Sequence, residues 1–100
     1  MITEEELKRR HYRVLKCAGE LTMKKGIDRW SQSQVASLAK VGHGCIQNYY
    51  GSMEYLRVAV VREAIAARHP GILAQAAAHP LYRKLLSPEH RELAATYLVG

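Results

Sequence analysis

The run Val41-Gly42-His43-Gly44-Cys45-Ile46-Gln47-Asn48-Tyr49-Tyr50-Gly51-Ser52 decides how the rest of the chain is read. Gly42 and Gly44 break the apolar pattern that precedes them, and Gly51 breaks it again. Between these glycines Ile46 and Tyr50 stand four apart, so they share one face of a helix of about two turns. Cys45, Gln47, Asn48 and Tyr49 fall on the other faces. Ser52 then offers the side-chain oxygen that caps a following helix.

Outward from this run the signals are helical on both sides. Ser31 with Gln34 makes a capping box, and Val35, Leu38 and Ala39 predict the buried face of a short helix ahead of the turn. Earlier still, Thr3 with Glu6 makes another box, and Glu4, Glu5 and Glu6 sit where the helix dipole favours negative charge. Leu7, Val14, Leu15, Ala18 and Leu21 recur along that first helix until Lys24, Lys25 and Gly26 stop it. After Ser52 a longer helix turns Leu56, Ala59, Val60, Ala64 and Ala67 inward. His69-Pro70-Gly71 ends it, because the residue before proline is pushed out of the helical region. A short helix over 72–78, an irregular stretch over 81–86 and a last helix opened by Ser87-Pro88-Glu89 complete the chain. Neither an internal repeat nor a low-complexity linker interrupts it.

The chain has 100 residues, room for a single domain over 1–100. Apolar residues make up 48% and charged residues 24%, a globular balance. No run approaches the roughly 18 apolar residues that span a bilayer, and the first ten residues do not read as a secretory signal. Cys17 and Cys45 make no disulfide framework, so a cytoplasmic protein is expected. His43 with Cys45, and His69 with His79, lack zinc-site spacing; no metal and no cofactor are expected. With no phosphate loop, paired carboxylates or nucleophile beside a base, an enzyme is not expected either.

Charge points to a partner. The net charge is +6 and the pI about 9.6. Residues 1–51 carry nine basic and five acidic side chains, a net of +4, and residues 52–100 carry six and four, a net of +2. Lys8, Arg9, Arg10, Arg13 and Lys16 crowd the first helix, as suits a polyanion. Without bulky apolar residues opposite that stripe, a membrane surface is not the expected partner.

Two short helices joined by a three-residue turn, between two longer helices, describe a helix-turn-helix. Ala36 supplies the small residue where the helices cross, and Val35, Ala39, Val41 and Ile46 supply the inner face. The expected fold is all-α: a three-helix, homeodomain-like helix-turn-helix bundle, a long fourth helix and short C-terminal helices. Residues 1–51 form its DNA-binding part and 52–100 a dimerisation part.

From Arg13 to Leu56 the chain resembles the N-terminal DNA-binding domain of TetR-type transcriptional regulators. The residues that carry the likeness are Val14-Leu15-Lys16-Cys17-Ala18 leading to Leu21 and Gly26, Ser31 with Val35-Ala36, and Ala39 to Ile46. Tyr49-Tyr50-Gly51-Ser52 with Glu54 and Leu56 completes it. Four positions depart from the family pattern. Lys40 stands where the turn usually has glycine, and Gly42 replaces a serine or threonine cap. Gln47 replaces an aromatic residue that touches the DNA backbone, and Met53 a lysine that often touches phosphate. The family usually continues into a ligand-binding, dimer-forming domain of about a hundred further residues. About thirty follow the fourth helix here, so no small-molecule inducer is expected if the chain is complete.

The resemblance implies a sequence-specific regulator, a repressor, bound to double-stranded DNA through a recognition helix at about 43–50. Gln47 and Asn48 carry amides that can pair with adenine N6 and N7. His43 and Tyr49 are further contacts, Tyr49 to phosphate, and Cys45 faces either a thymine methyl or the core. Gly42 and Gly44 let the helix start approach the backbone. Ser31, Gln32 and Ser33 open the second helix, whose free N–H groups suit a phosphate. Lys8, Arg9 and Arg10 add charge. Trp30 reads as a hydrophobic staple, and Cys17, Ile46 and Tyr50 as core. A homodimer on a two-fold site is expected, because Ile72, Leu73, Leu81, Tyr82, Leu85, Leu86, Leu93, Tyr97, Leu98 and Val99 offer apolar surface after Pro70. The alternatives are DNA packaging or partition, or a fold kept as a protein-interaction module.

Overall fold

The computed structural model describes residues 3–99, apart from the side chains of His43, Leu98 and Val99. These residues form α1 (Glu4–Lys25), α2 (Gln32–Ala39), α3 (His43–Tyr50), α4 (Met53–Ala67), α5 (Pro70–Ala78), a 3-10 turn (Arg83–Leu85) and α6 (Pro88–Val99). No strand occurs among them, so the fold is all-α.

The caps explain most of the boundaries. Thr3 Oγ1 accepts the Glu6 N–H at the start of α1, and Lys24 and Lys25 close its last turn. At α2 both halves of the capping box form: Ser31 Oγ accepts from Gln34 N–H, and Gln34 Oε1 accepts from Ser31 N–H. Ser52 Oγ accepts the Tyr55 N–H at α4. At α6 Ser87 Oγ accepts the His90 N–H, with Pro88 as the first helical residue.

The chain between α4 and α5 is tighter than its sequence suggests. α4 stops at Ala67, because Arg68 turns left-handed (φ 52°) and its N–H bonds the carbonyls of Ala64 and Ile65. α5 begins at Pro70, two residues before the expected start at 72. Pro70 serves as its first residue, where a missing N–H costs nothing, and His69 Nδ1 caps the Ile72 N–H at 3.2 Å.

The core draws on every helix: Val14, Ala18 and Leu21 from α1, Val35, Ala36 and Ala39 from α2, Ile46 from α3, Leu56, Val60 and Val61 from α4, Ile72 and Leu73 from α5, and Ala94 from α6. Burying a side chain such as Leu56 contributes about 1.5–3 kcal/mol. Thr22 ties three segments together. Its hydroxyl donates to the Ala18 carbonyl and accepts from the Trp30 indole N–H, while its own carbonyl accepts from Gln75 Nε2 of α5. Trp30 is buried, as a staple requires, and Arg57 of α4 holds it from the other side. The Arg57 Nη2 donates to the Trp30 carbonyl at 3.1 Å, with the guanidinium 5.3 Å from the ring centroid.

Three apolar residues do not face inward as the sequence predicts. Leu38 is 51% exposed, since the buried stripe of α2 centres on Val35, Ala36 and Ala39 and Leu38 lies roughly 100° away at 3.6 residues per turn. Leu7 is exposed along with every residue from Thr3 to Arg10, so the first turns of α1 run beyond the packed body. Ala67 is exposed where α4 ends, and Ala59 is half-buried.

The apolar tail is turned mostly into the fold. Ile72, Leu73, Tyr82 and Leu86 are buried, and Leu85 and Leu93 pack partly on the same core. Leu81 and Tyr97 stay exposed, while the side chains of Leu98 and Val99 lie outside the described residues. Even the irregular stretch over 81–86 is held, with its 3-10 turn flanked by buried Tyr82 and Leu86. Burial, together with the carboxylate of Glu54, pushes the Tyr82 phenol up to about 12.

Candidate nucleic-acid interface

α2 ends on Lys40, which takes the left-handed conformation (φ 56°, ψ 45°) that the family pattern gives to glycine. The Val41 N–H reaches back to the Ala36 carbonyl at 3.1 Å, and the Lys40 N–H to the carbonyls of Ala36 and Ser37. This is a Schellman-type stop, and a lysine in it costs on the order of 1 kcal/mol relative to glycine. Gly42 then takes the N-cap of α3 with no side-chain cap, leaving the first N–H groups of α3 uncapped by a side chain. Gly51 (φ 82°) closes α3, its N–H bonded to the Gln47 carbonyl.

α3 buries Ile46, half-buries Tyr50 against the core and half-buries Cys45, while Gly44, Gln47, Asn48 and Tyr49 are exposed. A Cβ at Gly42 or Gly44 would meet nothing within 4 Å, so both backbones are open to an approaching surface. Gln47 is tethered at long range: its Oε1 accepts from Gln32 Nε2 and its Nε2 donates to the Gly51 carbonyl, both at 3.4 Å. Ser31 and Ser33 are exposed at the head of α2, and Gln32 is half-buried. The backbone of His43 opens α3, while its side chain lies outside the described residues. Cys17 is half-buried against the core, and burial pushes its thiol pKa up.

His11 has no place among the sequence-based candidates, yet the fold brings it to this surface. It stands three before Val14 on the apolar stripe of α1, and that spacing is its one signal in the sequence. Its ring is buried and stacks on Tyr49, with centroids 3.2 Å apart and planes 24° from parallel. Tyr50 meets the same ring edge-on at 6.0 Å, and burial pushes the Tyr50 phenol up to about 12. This contact joins α1 to α3 and sets Lys8, Arg9 and Arg10, all exposed, within a turn or so of the join. Of the three, Arg9 has a loose partner, Glu5 at 3.8 Å on the same helix, a pair worth little in water.

Other chemistry is thin. No three His, Cys, Asp or Glu side chains come together among the described residues, and no described helix is long and apolar enough to cross a membrane. A cleft of about 640 Å³, open to solvent, runs between α1, α4 and α5 over Leu15, Gly19, Val60, Ala64 and Ile72. No family model, curated protein or solved structure matches the chain.

Proposed function

We propose that this chain is a sequence-specific DNA-binding regulator of transcription, a repressor that lays α3 in the major groove as the second helix of a TetR-like helix-turn-helix. One observation carries the reading: α3 commits Ile46 to the core and leaves Gly44, Gln47, Asn48 and Tyr49 exposed around the rest of its surface. Amides at that place can pair bidentately with adenine, and a phenol can reach a phosphate. The start of α3, which no side chain caps, offers N–H groups to the backbone, and the exposed hydroxyls of Ser31 and Ser33 stand at the head of α2. Lys8, Arg9 and Arg10 supply attraction that is independent of sequence. A homodimer belongs to the same reading, since one short helix reads only part of a turn of groove and two copies reach successive grooves. With most of the apolar tail in the core, support for the dimer rests on this geometry and on exposed Leu81 and Tyr97.

The test is selection of bound sequences from random duplex DNA at two salt concentrations. Enrichment of a two-fold-related motif is expected, with affinity falling steeply as salt rises. A pool without enrichment overturns the reading. It would favour an interaction module instead, to which Met53 lends weight: it packs partly on the core where the resemblance places a phosphate-touching lysine.

A further inference from the structure

We propose that His11 is a positioning residue for the outer face of α3: its imidazole, stacked under Tyr49, holds the Tyr49 phenol in the orientation that meets a nucleic-acid backbone. The proposal rests on the DNA-binding reading and adds to it a residue on another helix.

Three observations lead to it. His11 is 9% exposed, and neither ring nitrogen has a hydrogen-bond partner. Packing alone would favour a hydrocarbon ring there, because a buried polar atom left unpaired is destabilising. Tyr49 is 57% exposed, yet one face of its ring lies on His11 and its edge meets Tyr50, with centroids 4.8 Å apart. A tyrosine so exposed would otherwise sample several rotamers, and fixing one beforehand removes an ordering cost on binding. Finally, the stack ties α3 to the α1 segment that carries Lys8 to Arg10, so one contact sets the spacing of two surfaces that the same duplex would touch.

The arrangement has a pH signature. The titratable groups facing His11 from α3 are the phenols of Tyr49 and Tyr50, and on its own helix exposed Lys8 stands one turn back. Burial lowers the His11 pKa and no neighbouring charge contributes. A group whose pKa falls on docking keeps its full contribution above its undocked value and loses it as pH drops through the lowered one. The stack is therefore intact above about pH 6.5, the ordinary histidine value, and weakens below it. Protonation gives the buried ring two N–H donors with no acceptor, and the ring leaves the stack.

Full-length His11→Ala, His11→Phe and Tyr49→Ala chains, and the His11→Ala/Tyr49→Ala pair, test this by two readouts. One is the proton shifts of the Tyr49 ring without DNA; the other is affinity for the selected DNA, with helicity followed by circular dichroism. His11→Ala is expected to move the Tyr49 signals and weaken binding roughly two- to tenfold, the range for removal of an aromatic pair. His11→Phe restores affinity and removes its fall below about pH 6.5. With Tyr49→Ala already present, His11→Ala costs nothing more. Additive losses, or Tyr49 signals indifferent to both His11→Ala and acid, overturn the proposal while leaving DNA binding intact. If no DNA is selected, the functional reading falls, and the proposed use of the stack falls with it. Should His11→Ala not fold, His11→Phe and the acid titration of the unaltered chain decide the matter.

Discussion

α3 and α5 are nearly equal in length, eight residues and nine, and the fold puts them to opposite uses. α5 buries Gly71, Ile72, Leu73, Ala74 and Ala76, and packs against α6, α4 and α1. Among the described side chains of α3, Ile46 alone is buried. The cause lies in composition. α5 is apolar nearly all round, so it gains by being enclosed, whereas α3 carries two amides and two phenols and gains by keeping one face wet. A helix of two turns has too little apolar surface to anchor itself, so α3 is held by Ile46, by the left-handed turn at Lys40 and by the His11 stack. Stability and surface chemistry thus sit on different helices, and substitutions should separate them.

The largest effect belongs to α5. Leu73→Ala should cost about 2–5 kcal/mol of unfolding free energy in a denaturant titration, as fully buried leucines do. A loss below about 1 kcal/mol would break the contrast, because α5 would then not be core. On α3 the loss should appear in discrimination. Gln47→Ala and Asn48→Ala should each remove roughly 1–3 kcal/mol of preference at defined base positions while changing stability by no more than about 0.5 kcal/mol. If both weaken all sequences evenly, these amides hold phosphate and the reading face lies elsewhere on the helix. A smaller effect per side chain is expected on the projecting turns of α1. Replacing Lys8, Arg9 and Arg10 by alanine should lower the slope of log affinity against log salt by about 0.9 for each phosphate no longer neutralised, equally for all sequences. An unchanged slope would remove this segment from the interface. The smallest change has the opposite sign. Lys40→Gly should stabilise the chain by at most about 1 kcal/mol, since glycine takes the left-handed turn without a Cβ clash; a destabilised variant would show that the lysine side chain contributes to the turn.

Much of the α2–α3 region is legible in the sequence because its signals are local. Capping boxes, a glycine at a helix start and a residue forced left-handed all act over three or four positions, and the chain folds there as those rules direct. What escapes depends on partners distant in sequence. Leu38 has the right residue type and the wrong angle, which a stripe of only two turns does not fix. The apolar residues after Pro70 announce that something must cover them, but their spacing does not say whether that is a second chain or α1 and α4. Pro70 reads as a breaker when the helix before it is followed and as a first residue when the helix after it is followed; both are true of proline, and His69 as cap decides between them. At the candidate interface, the exposure of Gln47, Asn48 and Tyr49 follows from period alone. The role of His11 does not, because a polar residue on an apolar stripe gives no hint of the ring that waits for it.

Trp30 is the single tryptophan of the chain, and its surroundings make it an optical gauge of one joint. The indole N–H rests on Thr22 of α1, the carbonyl on Arg57 of α4, and the next residue caps α2. Its emission colour therefore reports whether the link between α1 and α2 is seated. A guest that binds α3 and leaves the link seated would not shift it, whereas opening of the link would expose the indole and move the emission toward the red.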